Sequence, residues 1–183
     1  MTKRAAIQNA ALELLTSNGL HATPMSAIAE RAGTGMGTIY NHFASKETLV
    51  NAIYVSIKDE EAKCFAVLDE DLPLKTQFEL YYATGIDFFL QRPDYFKFMA
   101  QVHASPIITD DSRARGYESI QNISLLMQRG IEAGIIKALP VTELLQFVSG
   151  TVFAYLRFHF RNGAGQRPML TNQLTMVWDA IKT

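Results

Sequence analysis

Three glycines in five positions open the run GTGMGTIYNHF, residues 33–43, which then turns polar and aromatic. A turn of this kind can cradle a phosphate with backbone N–H groups. It can also let two short helices meet steeply, so that the second lies against a nucleic acid. Spacing disfavours the first chemistry. A dinucleotide fingerprint needs G-x-G-x-x-G after a strand, whereas Gly37 is followed by Thr38 and a helix-like segment precedes Gly33. A Walker-type Gly-Lys-Ser/Thr is absent from the sequence. A helix-turn-helix asks for a turn of about 3–4 residues, often with Gly, and sends the N-terminal residues of its second helix toward bases. Gly33 suits the left-handed backbone that ends a helix, and Gly37 leaves the second helix free to approach a duplex closely. Thr38, Tyr40, Asn41 and His42 offer polar groups for bases and phosphates. Ile39 and Phe43, four apart, face the protein interior.

Other chemistries find little support. His21, His42, His103 and His159 are scattered, and neither H-E-x-x-H nor G-x-S-x-G occurs. Asp59, Glu60 and Glu61 are consecutive, so on a helix they splay around its circumference. Cys64 is the lone cysteine, which rules out an internal disulfide and a four-thiolate metal site. The chain is therefore expected to be no enzyme and to need no cofactor and no metal.

The elements that must position residues 33–43 are helical. Ile7, Ala10, Ala11, Leu14 and Leu15 form one apolar face of a first helix, Lys3 to Ser17, which Asn18-Gly19 ends. Thr23 reads as the N-cap of a second helix, Pro24 to Ala32. A third runs from Met36 to Phe43, and Ser45 caps a longer fourth. Aromatic segments follow around Phe78–Phe89 and Tyr95–Val102, then apolar ones at Ile120–Ile131, Leu144–Phe158 and Leu170–Ile181, with a turn at Asn162–Gly165. The sum is an all-α protein of about nine helices, with a three-helix helix-turn-helix DNA-binding domain at 1–46 and a larger helical bundle at 47–183.

Charge adds only a weak hint. The chain of 183 residues carries a formal net charge of −1, and residues 1–50 hold four Lys/Arg against three Glu. Any nucleic-acid contact must therefore be local. No run approaches the ~18 apolar residues of a membrane span, and with a single cysteine the expectation is a cytoplasmic protein without membrane contact.

The stretch TPMSAIAERAGTGMGTIYNHFASKETLV, residues 23–50, resembles the DNA-binding region of TetR-family transcriptional repressors. The resemblance implies that Thr38 and Tyr40 contact phosphates or bases. It implies phosphate contacts for Thr23, His42 and Lys46, and loose electrostatic contacts for Lys3 and Arg4. Gly35 and Met36 stand where the family often has a capping Ser or Thr followed by a polar or basic residue. Met36 can touch a thymine methyl but cannot donate a hydrogen bond. The expected DNA-binding set is Thr23, Gly35, Met36, Gly37, Thr38, Tyr40, Asn41, His42 and Lys46.

The resemblance also implies that the C-terminal helices bind a small-molecule effector and form a homodimer on a double-stranded operator. Independently, the helix from Val141 to Phe160 is apolar around most of its circumference, and such a helix must be buried. Leu144, Phe147, Thr151, Tyr155 and Phe158, with Val177 and Trp178, are the candidates for an isologous face. Two reading helices would then stand one turn of DNA, about 34 Å, apart on a palindrome. Candidate effector-lining residues are Phe65, Tyr82, Phe89, Phe96, Met99, His103, Tyr117, Met127 and Phe153, which suggest a mostly apolar or aromatic molecule. Ordinary core packing explains most of these equally well, and His103, alone among apolar neighbours, reads more readily as a satisfied core histidine. The competing reading is a helical dimeric interaction protein, or a small-molecule-binding protein, without DNA binding.

Overall fold

The computed structural model describes residues 2–66, 69, 71–103, 105–118, 120–162 and 170–183. They form ten helices: α1 Lys3–Asn18, α2 Met25–Arg31, α3 Met36–His42, α4 Lys46–Phe65, α5 Leu74–Gln91, α6 Pro93–Val102, α7 Asp110–Glu118, α8 Gln121–Glu132, α9 Val141–Asn162 and α10 Leu170–Ile181. Apart from an antiparallel bridge between Ile136 and Lys182, the described residues hold no β-structure. The all-α expectation is met with one helix more than about nine. The unforeseen one is α7, whose sequence DDSRARGYE has no large apolar repeat. It is seated instead by two small buried residues four apart, Ser112 and Gly116. The turn expected across 162–165 lies, beyond Asn162, outside the described residues.

The chain divides into two compact units, with the division falling within α4. One comprises the residues up to Glu60 together with Arg92–Tyr117, and the other Glu61–Gln91 together with Glu118–Thr183. In the first unit α1 packs on α2 and α6, burying Ile7, Ala10, Ala11, Leu12 and Leu15. Thr2 caps α1 by accepting the Ala5 N–H at 3.2 Å, and Gly19 closes it with φ 89°. From α6, Gln101 Nε2 donates to Leu15 O at 3.1 Å. On α4, the buried Asn51 organises the start of α7. Its Nδ2 donates to Ile107 O at 2.8 Å, while its Oδ1 accepts the Thr109 N–H at 3.0 Å. A buried amide bonded on both sides is stabilising, because leaving either group unpaired costs its full desolvation.

In the second unit α5 packs against α8, α9 and α10. Phe78, Tyr82, Ile86 and Phe89 form its inner face, and Trp178 of α10 meets Phe78 with ring centroids 5.4 Å apart. Inside this core, Tyr82 Oη lies 3.0 Å from Thr151 Oγ1, and Gln173 Nε2 donates to Tyr82 Oη at 3.3 Å.

In the first unit a Cβ at Gly116 would lie 2.6 Å from Tyr54 Oη and 3.1 Å from its ring. The rigid phenol has no flexible end to yield, so Gly116→Ala overpacks the contact. It is expected to destabilise the protein by about 1–3 kcal/mol, which urea unfolding followed by circular dichroism measures.

Candidate nucleic-acid interface

α2 ends by a glycine-dependent turn. Gly33 adopts φ 59°, the left-handed region that only glycine enters without cost. Its N–H bonds Glu30 O at 3.0 Å, and the next N–H, of Thr34, bonds Ala29 O at 2.9 Å. These paired bonds satisfy carbonyls that a helix end otherwise leaves open. Gly35 then begins α3 with φ −83° and no side-chain cap.

α3 has only seven residues, too few to persist on helix propensity alone. Ile39 and Phe43, both fully buried, seat it. The opposite face is open: Tyr40 is 48% and Met36 39% exposed, and Gly35, Gly37 and Asn41 are exposed as well. Thr38 and His42 flank this face with partial exposure. An added Cβ at Gly37 would meet nothing within 4 Å, so no protein neighbour demands glycine there. The structure thus brings Gly35, Met36, Gly37, Thr38, Tyr40, Asn41 and His42 together around one short helix, with an aromatic hydroxyl, a primary amide and a thioether outermost.

Two members of the expected set sit differently. Thr23 is fully buried, and its Oγ1 donates to Gly19 O at 2.9 Å and to Leu14 O at 3.2 Å. Its side chain therefore locks the α1–α2 turn and cannot reach a phosphate. Pro24, not Thr23, is the N-cap of α2. Lys46, in the first turn of α4, donates its ammonium to Leu20 O, and partial burial lowers its pKa. Ser45 caps α4, accepting the Thr48 N–H at 3.1 Å.

The remaining cations of residues 1–50 also have protein acceptors. Lys3 Nζ donates to Gly33 O at 3.5 Å, and Arg4 Nη1 donates to His42 O at 3.3 Å. The Arg4 guanidinium also lies over the Phe43 ring, 4.4 Å from its centroid. Arg31 pairs with Glu13 through Nε at 3.0 Å and Nη2 at 2.6 Å. Sequence spacing gave no sign of these four commitments, because each joins residues 18 to 38 positions apart.

The candidate effector residues are divided between the two units. Phe96, Met99, His103 and Tyr117 belong to the first unit, while Phe65, Tyr82, Phe89, Met127 and Phe153 belong to the second. His103 is exposed at the end of α6 rather than a core histidine, and Tyr117 is likewise on the surface. Phe65, Tyr82, Phe89 and Met127 are fully packed, and Phe89 meets Phe153 at 6.1 Å between centroids. A buried group that sequence did not single out is His159, whose Nδ1 has no hydrogen-bond partner among the described residues.

The candidate dimer residues divide by direction. Leu144, Tyr155, Val177 and Trp178 are buried within the second unit, which corrects their placement on an outward face, while Thr151 is half-buried and bonds Tyr82. Phe147 and Phe158 do point outward, 44% and 47% exposed. Gly150 and Ala154 complete that stripe, and Met176 of α10 is 61% exposed. The spacing Phe147-Gly150-Ala154-Phe158 was a readable signal, since steps of three and four keep one helix face. The stripe borders an open concavity of about 750 Å³ lined by Glu143, Gln146, Phe147, Gly150, Thr151 and Ala154.

Comparisons with known proteins agree with the geometry of α1–α4. Residues 7–53 match the family of bacterial regulatory proteins designated tetR. The chain is similar to the HTH-type transcriptional regulator UidR of Escherichia coli K12, 43% identical over 58 residues, or 32% of this chain and 29% of the relative. The aligned part thus spans under a third of that relative's length. Along more of the chain, it is 28% identical to the fatty acid metabolism regulator protein of Bacillus subtilis 168, covering 80% of this chain and 77% of the relative. Its fold is that of a crystal structure of a candidate tetR-family transcription regulator from Shewanella sp. PV-4, with TM-score 0.92 at 24% identity over all of both chains. The glycine-ended α2, the seated α3 and the capped start of α4 all lie inside residues 7–53, so it is this N-terminal region that is similar to the tetR family of bacterial regulatory proteins.

Proposed function

We propose that this protein is a transcriptional regulator, acting as a repressor, that binds a palindromic operator as a homodimer and is released by a small, mostly apolar or aromatic effector. Residues 1–46 carry the DNA-binding part, and 47–183 the effector and dimer parts. The observation that supports DNA binding best is the two-sided character of α3. One face is fixed by Ile39 and Phe43, and the other presents Met36, Tyr40 and Asn41 to solvent. A helix held this firmly keeps its outward groups in register with base edges. Asn41 can pair with adenine, and Met36 can meet a thymine methyl. Tyr40, Thr38 and His42 reach the flanking phosphates.

A second copy of the chain is the occupant proposed for the Phe147–Phe158 stripe. Two such stripes placed across a twofold axis cover each other's aromatic groups, and Gly150 and Ala154 let the helix backbones come close. An apolar effector is in keeping with the aromatic interior of the second unit. It also fits the similarity to a protein named for regulation of fatty acid metabolism. Effector binding would act by favouring a dimer whose α3 helices no longer match the half-site spacing, with a coupling of about 1–3 kcal/mol.

Gel-shift titration against the DNA flanking the protein's own gene, with excess nonspecific competitor, tests the operator reading. A discrete shift is expected, and Tyr40→Ala is expected to weaken it by about tenfold or more while leaving thermal stability nearly unchanged. A competitor-sensitive smear, identical for both proteins, would sink the reading. Phe147→Glu, which buries a charge in the proposed seam, is expected to convert the dimer to a monomer in sedimentation analysis.

A further inference from the structure

Met36 is the first residue of α3 and is 39% exposed. A single apolar side chain on a surface is ordinary, but this one stands at the end of the helix that groove reading puts closest to base edges. In a helix the Cα–Cβ bond tilts toward the N-terminus, so Met36 leads α3 instead of trailing along its flank. Four residues on, Tyr40 shares its face and is 48% exposed. Ile39 and Phe43 hold the other face inside the protein.

The two flanking residues leave space around it. Gly35 and Gly37 have no side chain, and a Cβ at either would meet nothing within 4 Å. Neither has a backbone that demands glycine: the positive-φ glycines among the described residues are Gly19, Gly33 and Gly134, and Gly35 has φ −83°. Glycine weakens a helix relative to alanine, so the fold gains nothing from the bare backbone at Gly37. A surface approaching this end of α3 meets bare backbone on both sides of one flexible thioether.

Base edges differ in what they ask of such a group. In the major groove guanine shows two acceptors, adenine an acceptor and a donor, and cytosine a donor, while thymine shows an acceptor beside a 5-methyl group. A thioether has no donor and accepts only weakly. Pressed on guanine, adenine or cytosine, it strips water from a polar group and returns no good hydrogen bond, which is unfavourable. Against the thymine methyl it buries apolar surface on both sides. The unbranched methionine chain adapts readily to such a contact.

We propose that Met36 is a specificity-determining residue: it packs on the 5-methyl group of one thymine in each operator half-site, in the space that Gly35 and Gly37 leave open. This inference rests on the reading of α3 as the helix that contacts DNA, and narrows it. One base of the half-site is chosen by shape and apolarity, without a hydrogen bond.

The probe is a duplex that the full-length wild type selects from a randomised pool. Each thymine is then replaced in turn by deoxyuridine, which removes the 5-methyl group and keeps every hydrogen-bonding group. One position per half-site is expected to be sensitive, with wild-type affinity falling about fourfold there, the worth of one buried methyl-sized group. At that position cytosine is expected to bind worse than thymine, and 5-methylcytosine to recover about fourfold over cytosine, since it carries the same methyl group. Met36→Ala, too short to reach, is expected to bind the selected duplex more weakly than wild type, to bind its deoxyuridine form equally well, and to melt at the wild-type temperature. Deoxyuridine tolerated by the wild type at every thymine, a selected half-site without thymine, or full deoxyuridine sensitivity kept by Met36→Ala would overturn the inference. The wild-type series needs no variant, so it decides even if Met36→Ala does not fold. Selection of no common sequence from the pool would overturn the operator reading itself, and this inference with it.

Discussion

Everything proposed for this protein depends on holding a seven-residue helix still. An isolated helix of that length is a minor conformer in water, because nucleation costs more than two turns of hydrogen bonds return. α3 persists because Ile39 and Phe43 are wholly withdrawn from solvent. Each such side chain contributes about 1.5–3 kcal/mol on burial. That stabilisation is tertiary, so α3 exists only inside the three-helix arrangement that encloses it.

The polar contacts around it serve the same constraint. The Gly33 turn sets where α3 begins, by satisfying the carbonyls at the end of α2. Thr23 fixes the turn before α2, and Arg4 meets the far end of α3. Arg31 and Glu13 brace α2 against α1 from outside. Both of these side chains are more than half exposed, so the pair adds little energy. Each cation of the first 50 residues thus has a protein acceptor, a carboxylate for Arg31 and a backbone carbonyl for Lys3, Arg4 and Lys46. The outward face of α3 itself carries Met36, Tyr40 and Asn41, none of them a cation.

The second unit shows the same division of labour on one helix. α9 carries apolar residues on two sides, and the fold gives them different tasks. Leu144, Val148, Tyr155 and Leu156 turn inward to α5, α8 and α10, while Phe147, Gly150, Ala154 and Phe158 turn outward. Two aromatic side chains left exposed on one helix face, Phe147 and Phe158, are the physical ground for proposing a second copy against it.

Much of this was legible in the sequence. The apolar repeat of α1, the glycine after α2, the Ser45 cap and the Ile39–Phe43 pair are local signals, and local backbone preferences produced them. The outward set on α3 followed directly, since a helix with one buried pair has a determined opposite face. α7 was not legible, because Ser112 and Gly116 seat it by being small, and small residues carry no periodic signal. Three choices were decided only by tertiary structure: the burial of Thr23, the acceptors taken by Arg4 and Lys46, and which side of α9 faces the core. Each depends on groups that meet across tens of residues. A side chain's type sets what it can bond, but only the folded chain sets what stands within reach.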